Sequence, residues 1–176
     1  MIKNVFITGL PGCGKTTLLK EVLEELKLNA GGFYTQEIRE KGIRKGFKII
    51  TLDGKEGILA HVNIKNPYRV SKYGVNIEDI DRIAVPSILE GLKENKIIVV
   101  DEIGKAELFS KKFKQAVLKA LDSKNKVLGT IMLEENPFCD EIKKRKDTKI
   151  FYLKRENRGE IKKEILWHFQ NLQQKR

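Results

Sequence analysis

Apolar and polar positions follow two rhythms along this chain, and the rhythms alternate in a regular order. Residues 2–8 form a short apolar run, "IKNVFIT", which predicts a buried strand. Leucines then recur at helical spacing and predict an amphipathic helix over Lys15–Leu28. The stretch "GGFYTQEIREKGIRKGFKIITLDGKEGILAHV" has a different rhythm. Its β-rich runs are broken by Gly42, Gly46 and the turn signal Asp53-Gly54, so it predicts a three-stranded meander over about residues 32–63. Residues 78–93 read as a helix that Pro86 kinks or breaks. Ile97–Val100 is continuously apolar, as in a strand covered on both faces, and it ends in two carboxylates, Asp101 and Glu102. There follow a helix near 110–122, a strand near 126–132, a helix near 135–143 and a strand near 148–153. A last helix begins near 159, with Ile161, Ile165, Phe169 and Leu172 on one face. Strands alternating with helices imply an α/β fold, a mostly parallel sheet flanked by helices in three layers. The length of 176 residues fits one domain, 1–176, with the meander inserted after the first helix.

Composition changes this picture little. Charged residues reach 34%, above the roughly 25% of ordinary domains, but regular apolar runs exclude a disordered chain. The net charge of +11 is uneven: residues 141–176 hold 12 Lys/Arg against 5 Asp/Glu. Such an end could meet nucleic acid, a polyphosphate or only water. No RNP-like aromatic pattern or helix-turn-helix signal accompanies it, so nucleic acid is the weaker alternative. Two cysteines without a CxxC pair give neither a disulfide framework nor a zinc site. The first apolar run is too short for a signal peptide or a membrane span, which leads us to expect a cytoplasmic protein with no membrane role. No protein partner can be inferred.

The chemistry concentrates in two places. Gly9-Leu10-Pro11-Gly12-Cys13-Gly14-Lys15-Thr16-Thr17 joins the first strand to the first helix and fits the pattern G-x-x-x-x-G-K-[ST]. Glycines let successive backbone N–H groups converge on one anion, and the helix points its positive end at the same spot. Lys15 can neutralise β- and γ-phosphates, and Thr16 can offer its hydroxyl to Mg²⁺. Asp101 and Glu102 end the strand that starts at Ile97, at the edge where ligands bind in parallel α/β sheets. Asp101 is the candidate partner of Thr16 in holding Mg²⁺; Glu102 is the candidate base for an attacking water. Arg145 and Arg158, with Arg155 behind them, are candidate clamps on the γ-phosphate, because a planar guanidinium binds phosphate oxygens in pairs. Glu107 could brace the magnesium site or simply start a helix. No Asn-Lys-x-Asp reads guanine, so phosphate contacts should dominate nucleotide binding. These residues suit hydrolysis of nucleoside triphosphates, with γ-phosphoryl transfer to a small molecule or a nucleic-acid end as the alternative.

Four segments, "ITGLPGCGKTTLL", "GGFYTQEIRE", "DEIGKAELFS" and "ENR" at 156–158, resemble the thermophile-type P-loop nucleoside triphosphatases, the group that includes the cancer-related nucleoside triphosphatase. The likeness runs from one end of the chain to the other. It implies a P-loop core of RecA-like type and slow, Mg²⁺-dependent hydrolysis of several nucleoside triphosphates. It also implies that Glu102, beside the magnesium-linked Asp101, activates water.

Overall fold

The order of strands across the sheet decides which loops meet at one edge. The computed structural model describes residues 1–173, with side chains to Asn171. Among these, nine strands form one sheet: β1 (Asn4–Thr8), β2 (Ala30–Glu40), β3 (Ile43–Thr51), β4 (Glu56–His61), β5 (Arg69–Val70), β6 (Tyr73–Val75), β7 (Ile97–Ile103), β8 (Val127–Ile131) and β9 (Thr148–Tyr152). Their order is β5-β6-β4-β3-β2-β7-β8-β1-β9. The pairs β2–β7, β7–β8, β8–β1 and β1–β9 are parallel. The outer five strands pair antiparallel, so the sheet is mixed, with the meander extending one side of a parallel core. β8 separates the strand that leads into the glycine loop from the strand that carries the carboxylates.

Each face of the sheet carries its own apolar cluster. On one, Phe6, Phe33, Ile98 and Val100 pack with residues of α3 (Val85–Lys93), α4 (Lys111–Asp122) and α5 (Pro137–Lys143). On the other, Val5, Ile7, Val99 and Leu128 pack with α1 (Lys15–Leu26) and α6 (Arg158–Gln173). Val99 and Val100 face opposite ways, which is why Ile97–Val100 is apolar without alternation. Phe33 and Phe113 meet edge to face at 6.1 Å across the first interface. These clusters make the three expected layers.

Local rules account for most boundaries. Ser110 caps α4 by accepting from the Phe113 N–H, and Asn136 caps α5 by accepting from Phe138 and Cys139. α1 stops at Leu26, two residues short of the predicted end, because Lys27 turns left-handed at φ 46°. Pro86 does not break its helix. Before it, α2 (Ile77–Asp79) passes through a wide turn over Ile80–Ala84, in which the Val85 N–H reaches back to the Ile80 carbonyl. Widening makes room for the proline ring, and Pro86 sits in the first turn of α3, where its missing N–H costs little. The two short strands β5 and β6 were not predicted: two or three residues carry no readable alternation. On α6, Ile161, Ile165 and Phe169 are buried as expected and Trp167 is 67% exposed; Leu172 lies outside the residues whose side chains are described.

Candidate active site

Three segments converge at the carboxyl edge of the parallel strands: the loop after β1, the end of β7 and the middle of β2. The loop bends because Gly14 takes φ 95°, a left-handed conformation that glycine alone enters without penalty. The Cys13 N–H donates to the Leu10 carbonyl at 3.2 Å, tightening the turn. No side chain caps α1, so its first amides are left for an anion. Gly9 is buried, while Leu10, Pro11, Gly12 and Thr17 are exposed at the mouth.

Asp101 is 1% exposed and lies within β7 rather than after it. Thr16, 85 positions away in sequence, donates its hydroxyl to the Asp101 carboxylate at 2.9 and 3.1 Å. Thr130 on β8 donates to it at 2.6 Å, and Thr35 on β2 donates its N–H at 3.2 Å and its hydroxyl at 3.4 Å. Burial pushes the Asp101 carboxyl above the usual aspartate range, and these hydrogen bonds oppose the push. Thr35 and Thr130 were not singled out in the sequence. Isolated threonines in strands give no signal until the sheet brings them to one carboxylate.

Glu102 sits beside Lys15. The Lys15 Nζ is 3.7 Å from Glu102 Oε2 and donates to the Gly9 carbonyl at 3.0 Å. Gly104 makes the space: a Cβ there would stand 2.5 Å from Glu102 Oε1. Burial raises the Glu102 carboxyl above the ordinary glutamate range; the Lys15 ammonium pulls it back and the charge on Asp101 adds to the rise. A carboxylate tuned in this direction is a better proton acceptor near neutral pH.

The donors present fit a magnesium ion that is shared with a substrate. Thr16 and Asp101 offer hard oxygens within hydrogen-bond distance of each other, and the described residues contain no group of three or more His, Cys, Asp or Glu able to cage a metal. Mg²⁺ suits such a half-built site, since it keeps waters and takes substrate phosphates alongside one or two protein ligands.

Glu107, on the turn after β7, is 3% exposed and close to Glu102 and Asp101. Burial, then the charge of Glu102, raise its carboxyl well above the glutamate range. A group that holds its proton more tightly when folded makes stability fall as pH rises from the unfolded value toward the folded one. Glu107→Gln keeps the shape without the charge. In metal-free protein it should therefore flatten the loss of Tm above about pH 4.3 and leave the variant at least as stable as wild type at pH 8. An unchanged Tm–pH slope would contradict this.

The two arginines part company. Arg158 opens α6 at the same edge as the loop; its Nη2 lies 2.7 Å from Glu21 on α1, and Arg155 is one turn earlier. Arg145 is not brought to the loop, which corrects the expectation that it clamps the γ-phosphate. It follows α5 at the opposite, amino-terminal edge of the sheet, where β9 begins. There it binds Asp147 at 3.0 Å, Asp122 at 2.9 Å and the Leu121 carbonyl at 3.1 Å. The helix between β8 and β9 carries the chain back across the sheet, and spacing along the sequence could not show that. Arg145→Ala should leave kcat and KM near wild type and lower Tm by a few degrees, at about 2–4 °C per kcal/mol for a chain of this size. A selective fall in kcat would return Arg145 to the site.

A glycine loop between a parallel strand and a helix, facing a hydroxyl–carboxylate pair at the strand ends, defines a P-loop NTPase fold. A family model described as NTPase matches residues 4–166, and the chain belongs to that family. It is 52% identical over 163 residues to nucleoside-triphosphatase THEP1 of Thermotoga maritima, covering 93% of each chain. The human cancer-related nucleoside-triphosphatase is 37% identical over 182 residues, covering 94% of this chain and 96% of the relative. Among solved structures, THEP1 of Aquifex aeolicus superimposes with a TM-score of 0.85 at 38% identity, covering 93% of this chain and 96% of that one. The solution structure of the human protein gives 0.83 at 37% identity, with 96% and 98% covered. No helix among the described residues is long and apolar enough to cross a membrane.

Proposed function

We propose that this protein hydrolyses nucleoside triphosphates to diphosphate and phosphate with Mg²⁺, accepting ATP, GTP, CTP and UTP. The observation that carries the reading is the meeting of Lys15, Thr16, Asp101 and Glu102 at one sheet edge. The names of the relatives support it. The loop amides and Lys15 hold the β- and γ-phosphates. Thr16 and Asp101 hold Mg²⁺, which when bound neutralises charge developing on the phosphoryl oxygens. Glu102 orients a water and takes its proton. Arg158 adds positive charge from the start of α6, so Arg158→Ala should lower kcat more than it raises KM.

The deciding assay follows a labelled γ-phosphate with each of the four triphosphates, alone and with nucleosides, monophosphates and oligonucleotide ends added. Label should appear as inorganic phosphate, should need a divalent ion, and should vary between bases by less than about 10² in kcat/KM. A site built to hydrogen-bond one base discriminates by ~10⁴ or more, so preference of that size would refute broad specificity. Label passing rapidly into one acceptor would replace the hydrolase with a kinase.

A further inference from the structure

The meander carries a feature that triphosphate hydrolysis does not use. Arg39 on β2 and Arg44 on β3 stand directly opposite each other, just past a slip in the register at Ile38/Arg39. Like charges in that position destabilise a sheet unless something neutralises them. Among the described residues only Glu37 does so: its carboxylate lies 2.7 Å from Arg39 and 3.2 Å from Arg44, and Arg39 also donates to the Gly42 carbonyl at 2.8 Å. Lys72, in the turn between β5 and β6, is exposed and forms no ion pair among the described residues. The three cations border a solvent-open groove of about 370 Å³ between the β2–β3 and β5–β6 hairpins. That size is within the range of small-molecule pockets. Arg44 is already fixed in place, since its Nε donates to the Tyr73 hydroxyl at 2.9 Å. Its guanidinium also lies over the rings of Phe47 and Tyr73, at 5.1 and 5.7 Å.

We propose that this groove is a second anion site, which takes a small phosphorylated molecule on Arg39, Arg44 and Lys72. Two planar guanidiniums and an ammonium around one groove match the several oxygens of a phosphomonoester. A nucleic-acid strand fits less well, because the aromatic faces on which bases would stack are covered by Arg44. The pocket is distinct from the glycine loop. Thr35 touches Asp101, and Arg39 is four residues farther along the same strand, roughly 13 Å at the usual rise.

Calorimetric titration of ribose 5-phosphate and glycerol 2-phosphate tests the assignment, with the glycine loop filled by Mg²⁺ and a non-hydrolysable triphosphate. One equivalent of at least one probe should bind wild type. Affinity should fall at least tenfold in both Arg44→Gln and Lys72→Glu, while triphosphate hydrolysis without probe stays at the wild-type rate. Lys72 is exposed, so Lys72→Glu decides if Arg44→Gln is poorly folded. Absence of binding to wild type, or binding that Lys72→Glu leaves intact, overturns the site. So does binding of a single-stranded oligonucleotide, lost in Lys72→Glu, where neither phosphomonoester binds. Failure of the hydrolase reading would instead appear as failure of the triphosphate analogue to bind, and would not alter the comparison between variants.

Discussion

Glu102→Gln should bind Mg²⁺–nucleotide about as well as wild type and hydrolyse it ~10²–10⁴-fold more slowly, the range lost with a general base. The substitution keeps the side chain's length and its place beside Gly104, but removes the oxygen that accepts a proton. The pH profile supplies a second reading. Burial raises the Glu102 carboxyl, and under the proposed mechanism the carboxylate is the active form. Wild-type kcat should therefore fall on the acid side of a limb lying above the ordinary glutamate range, and the residual rate of the variant should lack that limb. Single-turnover hydrolysis and equilibrium nucleotide binding, each across pH, make the check. Turnover within a few-fold of wild type would remove Glu102 from the chemistry.

Lys15→Ala should weaken triphosphate binding and lower kcat together, by on the order of 10²–10³-fold in kcat, as for loss of one preorganised donor to developing charge. The ammonium acts twice. It is the cation of the glycine loop, held toward the site by the Gly9 carbonyl, and it restrains the rise in the Glu102 carboxyl from 3.7 Å away. Removing it should carry the acid limb of the residual activity to higher pH, because the base then holds its proton more tightly. Simple loss of affinity would not move that limb. Unchanged kinetics would mean that the glycine loop is not the site.

Much of this architecture could be read from local pattern. A strand covered on both faces must be continuously apolar, so "IIVV" announced a strand buried on both sides before any neighbour was known. The Asp53-Gly54 signal and the β-rich runs around it announced the antiparallel extension. Pro86 misled: it reads as a kink or break, whereas the chain stays helical through a wide turn that packs against β3, β4 and α4.

The glycine loop, the order of the longer strands and helices and the pair of carboxylates were legible along the chain, because each rests on neighbouring residues and on backbone rules acting over a few positions. Which distant groups serve that pair depends on how the sheet is assembled. Thr35 and Thr130 reach Asp101 because β2 and β8 flank β7. Arg145 ends at the far edge because α5 returns the chain across the sheet, and Arg39, Arg44 and Lys72 border one groove because β3 and β6 flank β4 in the sheet. The cause is the same in each case. Spacing fixes which residues share a strand or a helix face, whereas the distance between elements is set by sheet order and by the direction in which each connection crosses.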